Sequence, residues 1–145
     1  MPELRIENLS FAFGKESVLE ALNLRISPGE FVTILGASGC GKSTLLRLLA
    51  GVLAPTTGTV TTDQDPRKSF VFQKPRLCGW LSAAQNVEVP LKLLSASALT
   101  RQRESQRALE LVGLTKTDAR KRPHALSGGM QMRVSFARAI VTEPN

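Results

Sequence analysis

Gly36-Ala37-Ser38-Gly39-Cys40-Gly41-Lys42-Ser43 stands between an uncharged, β-rich run at 31–35 and a series of apolar residues at helical spacing from 45 to 50. The eight residues match the pattern G-x-x-x-x-G-K-[ST] at every fixed position. A buried strand, then a glycine-rich loop, then a helix is the context in which this pattern forms a phosphate-binding loop. The stretch therefore predicts an α/β fold built around that loop.

Glycines allow successive backbone N–H groups to turn inward without Cβ clashes, and the start of the following helix adds partial positive charge. Lys42 would reach the β and γ phosphates of a nucleotide, and the Ser43 hydroxyl would complete the coordination of a Mg²⁺ ion. Thr44 is expected to donate a further hydrogen bond. A plain glycine-rich turn with an exposed lysine is the alternative. The predicted binding residues are Gly36, Ala37, Ser38, Gly39, Cys40, Gly41, Lys42, Ser43 and Thr44.

Length and composition limit the remaining possibilities. A chain of 145 residues, 42% of them hydrophobic, fits one domain with a core. Uncharged stretches are interrupted by Gly and Pro, which disfavours a membrane span, and the charged start disfavours a secretory signal. Two cysteines and one histidine offer neither a disulfide framework nor a recognisable metal site within the protein alone. These features favour a cytoplasmic protein.

Basic residues exceed acidic ones by 19 to 12, and the excess is concentrated near the end of the chain. Residues 1–100 carry 10 basic against 8 acidic side chains, whereas residues 101–145 carry 9 against 4. Such a bias can indicate nucleic acid, anionic lipid or a polyphosphate. Because no run of five like charges occurs, we favour a solvated helix face beside the basic turn at 120–122.

Hydrophobic periodicity outlines the elements. Alternation over 4–13 and 18–26 predicts an antiparallel opening, and 58–62 is a further hairpin-like stretch. Residues 31–35 and 69–73 are expected to be strands buried on both faces. Helices are expected over 45–50, ending at Gly51, over 99–112, ending at Gly113, and from about Gly129, with Ser127 as its cap.

A second motif, Leu126-Ser127-Gly128-Gly129-Met130-Gln131-Met132-Arg133, opens the last of these helices. It resembles the signature sequence of ATP-binding-cassette (ABC) ATPases, in which a glutamine usually stands where Met130 does. Ser127 with the amides of Gly128 and Gly129 would form another anion site at a helix start. A capped helix after a flexible turn is the alternative for the motif in isolation.

The resemblance extends over nearly the whole chain. It implies a P-loop ATPase core with a mostly parallel sheet, N-terminal antiparallel strands and a helical signature subdomain. The partial domain would span 1–145, with a glutamine-loop and helical region at about 75–125 and the signature and its helix at 126–141. The ligands implied are ATP and Mg²⁺.

Further residue roles follow from the same resemblance. Phe13 would stack on adenine, although a lone phenylalanine is more often core. Gln73 would contact Mg²⁺ and the attacking water. Lys42, Gln73 and Ser127 would act in catalysis, with Ser127 facing the γ-phosphate on a second ATPase subunit in a head-to-tail dimer.

Residues 71–87 are similar to the loop that receives a coupling helix from a membrane permease. Leu77, Trp80 and Leu81 would either be exposed at such an interface or pack in the core. The family details most resemble ATP-binding subunits of nitrate, sulfonate and taurine importers. These associate with a permease and a solute-binding protein at the inner face of the plasma membrane, and no nucleic-acid partner is expected.

Family members carry an apolar strand ending in the Walker B Asp, followed by a catalytic Glu. The 145 residues contain no such run, so we expect this polypeptide to represent a truncated core that binds nucleotide with weak or absent turnover. Two other functions remain open. One is a soluble ABC ATPase acting on nucleic acid through the basic last third, and the other is a non-catalytic nucleotide-binding fragment.

Overall fold

Three strands near the start of the chain form an antiparallel sheet. In the computed structural model, which describes residues 3–62 and 67–144, β1 (Leu4–Phe13) lies between β2 (Glu16–Ile26) and β3 (Thr57–Thr62). Both neighbours are antiparallel to β1, and the β1–β2 hairpin ends with Phe13 opposite Glu16. The predicted antiparallel opening is therefore confirmed, with the 58–62 stretch as its third strand.

The first helix, α1 (Lys42–Leu49), packs on this sheet. Its buried residues Leu45 and Leu48 join a cluster that contains Ile6, Leu9 and Phe11 of β1. Burial of a large apolar side chain stabilises a fold by about 1.5–3 kcal/mol. This cluster anchors the start of α1, and the glycine-rich loop that leads into it, to the hairpin.

Helices dominate the rest of the chain, which divides into two compact units, one up to Lys68 and one at Ser69–Pro144. The second unit contains α2 (Ala83–Leu93), α3 (Ala98–Leu111), α4 (Lys116–Ala119), a 3-10 turn (Pro123–Ala125) and α5 (Gly128–Ile140). Helices α2, α3 and α5 enclose a core of its own that includes Val87, Leu109 and Val134. Within the described ranges, no helix combines the length and apolar character needed to cross a bilayer.

Hydroxyl side chains begin each of the four α-helices described in the second unit. Ser82, Ser97, Thr115 and Ser127 each accept a hydrogen bond from a backbone N–H in the first turn of the helix that follows. The start of α1 differs, because its cap is Gly41, in the left-handed region at φ 91°, with no side-chain hydrogen bond. The first turn of α1 thus keeps N–H groups that the other helices satisfy internally.

Two predicted strands are wrong. Residues 31–35 and 69–73 form no strand, and the side chains of Phe31 and Leu35 are 93% and 87% exposed rather than buried. A strand requires hydrogen-bonded neighbours, and within the described residues the sheet consists of β2, β1 and β3 only. The predicted helices are present with slightly shifted limits, whereas α2 was not delimited from the sequence.

Candidate functional site

The glycine-rich loop at 36–44 closes around the ammonium group of Lys42. Its Nζ donates to the carbonyl oxygens of Gly36 at 2.7 Å and Ala37 at 2.5 Å, and lies 3.6 Å from Cys40 Sγ. The Cys40 N–H donates to the Ala37 carbonyl at 3.4 Å, so the loop turns back on itself. A positive charge is therefore held at the centre of the loop by oxygen and sulfur atoms for which an anion can substitute.

Glycine is required at Gly41 on two grounds. Its φ of +91° is left-handed, and a Cβ there would lie 3.0 Å from a Val18 side-chain carbon and 3.1 Å from a Leu19 side-chain carbon. At Gly36 a Cβ would come within 2.7 Å of Cys40 Sγ. The loop therefore lies directly against strand β2, and its curvature depends on residues without side chains.

The start of α1 directs backbone donors toward this loop. The first intrahelical bond runs from the Leu45 N–H to the Gly41 carbonyl at 2.8 Å, so the amides of Lys42, Ser43 and Thr44 precede it. These amides and the positive end of the helix dipole favour an anion. Ser43 is exposed and can offer its hydroxyl to a cation, whereas Thr44 is buried, with 7% of its surface exposed. The donor set fits a polyphosphate with a hard cation.

Phe13 lies at the hairpin end of the same unit. Its ring is 54% exposed and meets Phe11 edge to face, with centroids 4.9 Å apart. Phe11 pairs across the sheet with Leu19, one of the residues that lie against Gly41. An aromatic ring half open to solvent, on the strand pair that supports the loop, is suited to stacking on a base.

The second motif forms an exposed helix start. Ser127, Gly128 and Gly129 are exposed, and Ser127 Oγ accepts the Met130 N–H at 3.3 Å. That bond uses the hydroxyl as an acceptor, which leaves its hydrogen free to be donated outward. The arrangement places one hydroxyl and the first amides of α5 side by side, and it confirms the prediction of Ser127 as a cap.

Gln131 has a role that sequence reasoning missed. Its Nε2 donates to the carbonyls of Pro123 at 2.9 Å and Leu126 at 3.2 Å, and its backbone N–H donates to the Ser127 carbonyl at 2.9 Å. The side chain thus holds the turn that precedes Ser127 to the first turn of α5. The sequence signal that could have indicated this contact is an amide side chain about one helical turn after the cap residue.

The segment from Ser69 to Arg76 carries Gln73, whose side chain is exposed and outside any regular element. Further on, Leu77 packs against the core of the second unit, whereas Trp80 is 74% exposed. Buried Asn86 supports this turn, because its Oδ1 accepts the Cys78 N–H at 2.8 Å. Of the two alternatives predicted for these residues, packing in the core therefore applies to Leu77, and exposure to solvent applies to Trp80.

The structure thus brings residues 36–44 together as one group in the first unit and residues 127–129 as another at the start of α5 in the second unit. Gln73 belongs to the second unit as well.

The family model described as ABC transporter matches residues 19–145. An aliphatic sulfonates import ATP-binding protein, SsuB 1 of Agrobacterium fabrum, is 44% identical over 137 residues, which are 94% of this chain and 49% of that protein. The SsuB of Rhodopseudomonas palustris strain BisA53 is 46% identical and covers 97% of this chain and 50% of its own. The chain spans about half the length of the curated relatives it matches.

Solved structures give the same result. The dimeric structure of MJ0796, a bacterial ABC transporter cassette, superposes with a TM-score of 0.88 at 34% identity, covering 97% of this chain and 70% of that one. CbiO1 of Clostridium perfringens, part of the complex cbiONQ, gives 0.81 at 29% identity, with coverages of 97% and 62%. The MJ0796 cassette confirms the fold class predicted from the phosphate loop and the signature.

Proposed function

Since the chain belongs to the ABC transporter family, we propose that it is an ATP-binding part of a solute importer and that residues 36–44 bind the triphosphate of Mg·ATP. The observation that carries the proposal is the ammonium of Lys42, bound to the carbonyls of Gly36 and Ala37 beside the uncapped start of α1. A cation and several amides arranged in this way are complementary to a chain of phosphates.

The chain's own residues then have separate tasks. The Lys42 ammonium exchanges its carbonyl partners for phosphate oxygens, and the loop amides stabilise charge that develops during phosphoryl transfer. The exposed Ser43 hydroxyl supplies a ligand for Mg²⁺, and Phe13 stacks on the base. The family resemblance assigns Gln73 to Mg²⁺ and the attacking water, and assigns Ser127 with Gly128 and Gly129 to the γ-phosphate on a partner subunit. When bound, Mg²⁺ neutralises phosphate charge.

Partners follow from the relatives. SsuB proteins are named for import of aliphatic sulfonates, and we propose a small organic oxyanion of this kind as the solute. The cassette would act as a head-to-tail pair with a permease and a solute-binding protein, on the inner face of the plasma membrane. The solved MJ0796 cassette, described as dimeric, supports the paired arrangement.

For a polypeptide of these 145 residues we propose nucleotide binding with little turnover. The 145 residues contain no Asp-Glu pair that follows an apolar strand. The family resemblance places the general base at such a pair. Hydrolysis no faster than that of a Lys42→Ala variant would support this, and a clearly higher rate would contradict it.

A nucleic-acid function receives less support from the charges. In the described part of the second unit, six of the nine basic side chains of the last third bond within the chain, either to carboxylates or to backbone carbonyls. These are Arg101 with Glu88, Arg103 and Arg107 with Glu104, Lys121 with Asp118, Arg133 with Val112 and Gly113, and Arg138 with Pro75 and Arg76. Retention on immobilised DNA that falls with salt would favour the alternative.

Calorimetry with Mg·ATP tests the proposal. We expect Lys42→Ala to weaken binding by about 10- to 100-fold, because hydrogen bonds to charged groups contribute about 1.5–3 kcal/mol. Lys92→Ala is the matched control, since it removes an exposed lysine from α2. Equal affinity for both variants, with intact circular dichroism, would refute the assignment of the loop.

A further inference from the structure

An arginine near the end of α5 holds the segment that carries Gln73. Arg138 Nη2 donates to the Pro75 carbonyl and Nη1 to the Arg76 carbonyl, each at 3.0 Å. One residue further along α5, the Ala139 carbonyl accepts the Ser69 hydroxyl at 2.6 Å. The segment from Ser69 to Arg76 is therefore fastened near both ends to successive residues of one helix.

Regular secondary structure does not stabilise this segment. Residues 69–76 form no strand or helix, Pro75 has no N–H to donate, and Arg76 takes a left-handed φ of +49°. Arg138 is half-buried, and desolvation lowers its pKa, although a guanidinium stays charged at neutral pH. Its planar fork reaches two successive carbonyls at once, which a lysine cannot reproduce.

Helix α5 joins two sites of the proposed function. It begins at the exposed Ser127-Gly128-Gly129 segment and reaches Arg138 eleven residues later, about 16 Å along a continuous helix. We propose that Arg138 is a positioning residue that fixes the Gln73 segment to α5, so that Gln73 and Ser127 of one chain move as one body. The roles of those two residues rest on the proposed function, whereas the fastening itself does not.

Limited trypsin digestion tests the fastening without any ligand. The Arg76 carbonyl bonded to Arg138 belongs to the scissile Arg76–Leu77 bond, and cleavage can be followed by mass spectrometry. We expect Arg138→Met to accelerate this cleavage about tenfold or more, because two charge-assisted hydrogen bonds are lost. Arg138→Lys should give an intermediate rate. Arg133→Met, which removes a carbonyl-bound arginine elsewhere on α5, should leave the rate unchanged.

Cleavage at Arg107–Ala108 in α3 distinguishes local release from general loosening, since Ala108 is buried in the core. The proposal expects less than about a twofold change there. It is overturned if the Arg76–Leu77 bond is cut no faster in Arg138→Met, or if both bonds accelerate equally.

Magnesium dependence tests the positioning of Gln73. The ratio of ATP dissociation constants without and with Mg²⁺ should fall several-fold in Arg138→Met and in Gln73→Ala, with no further fall in the double variant. A purely structural arginine would leave the ratio unchanged, and independent effects that add would contradict the proposal. If the unaltered chain binds no Mg·ATP, the proposed function fails, while the digestion still decides the fastening.

Discussion

Gly41 shows how closely single residues are constrained in the phosphate loop. It combines a left-handed φ with direct contact against Val18 and Leu19, whereas Gly39 has a similar φ of +86° and open space around its Cα. The two positions therefore separate backbone strain from steric contact, which are usually confounded at a glycine.

Substituting alanine at these two glycines should give unequal losses. We expect Gly39→Ala to lower the free energy of unfolding by about 1 kcal/mol, from φ strain alone. Gly41→Ala should lower it by about 2–4 kcal/mol, because the added methyl also forces Val18 and Leu19 to shift. Urea unfolding of both variants measures the difference. Equal losses would mean that the loop does not lie against β2 as described.

At the scale of elements, the sequence predicted what local patterns determine. Alternation identified the β1–β2 hairpin, and caps with helical spacing located α3 and α5. The limits of helix α2 were not predicted, because Pro90 lies inside it and its apolar residues are interspersed with polar ones. The apolar runs at 31–35 and 69–73 were misjudged, because β-rich composition becomes a strand only where a neighbour completes its hydrogen bonds.

In the candidate site, too, the features made by local sequence motifs were predicted, whereas the contacts between side chains and distant backbone groups were not. The loop at 36–44 and the cap at Ser127 follow from motifs, since each is made of contiguous residues. The tethers made by Gln131 and Arg138 join residues far apart in the chain or depend on side-chain geometry, so that spacing alone did not reveal them.

The short helix α4 should respond to acid. Hydrogen bonds from Lys121 and Thr115 lower the pKa of Asp118 from 3.8 to about 2. A lowered carboxyl pKa means that the stabilisation is complete above the ordinary value and is lost as the pH falls from about 4 toward 2.

Replacing the lysine partner checks this effect. Lys121→Met should raise the Asp118 pKa toward its ordinary value, as followed by NMR titration of the carboxyl carbon. Lys116→Met removes another charge from the same helix and is the control. If both variants left the titration midpoint where it was, the hydrogen bond from Lys121 would not be its main cause.

At the scale of the whole molecule, the chain combines a sheet-based unit with a helical unit, each with its own core. Two phenylalanines of the first unit differ sharply in environment. Phe11 is 9% exposed within the sheet core, and Phe31 lies open to solvent. Substituting each of them therefore tests whether residues 31–35 are exposed, as in the structure, or buried in a strand, as the sequence predicted.

Phe11→Ser should lower the free energy of unfolding by about 3–5 kcal/mol, as for other large core side chains, while Phe31→Ser should change it by no more than about 0.5 kcal/mol. Urea unfolding of the two variants provides the measurement. A large loss in Phe31→Ser would show that residues 31–35 are buried in solution, as periodicity alone suggested.

The glycine at the head of α1 has one more consequence. In the second unit, hydroxyl side chains accept hydrogen bonds from the first turns of the helices, whereas the first turn of α1 has no such side-chain cap. A bound ligand would accept those hydrogen bonds instead. The ligand would then stabilise the folded state by RT ln(1 + [L]/Kd). The melting temperature of the first unit would therefore rise with the ligand concentration.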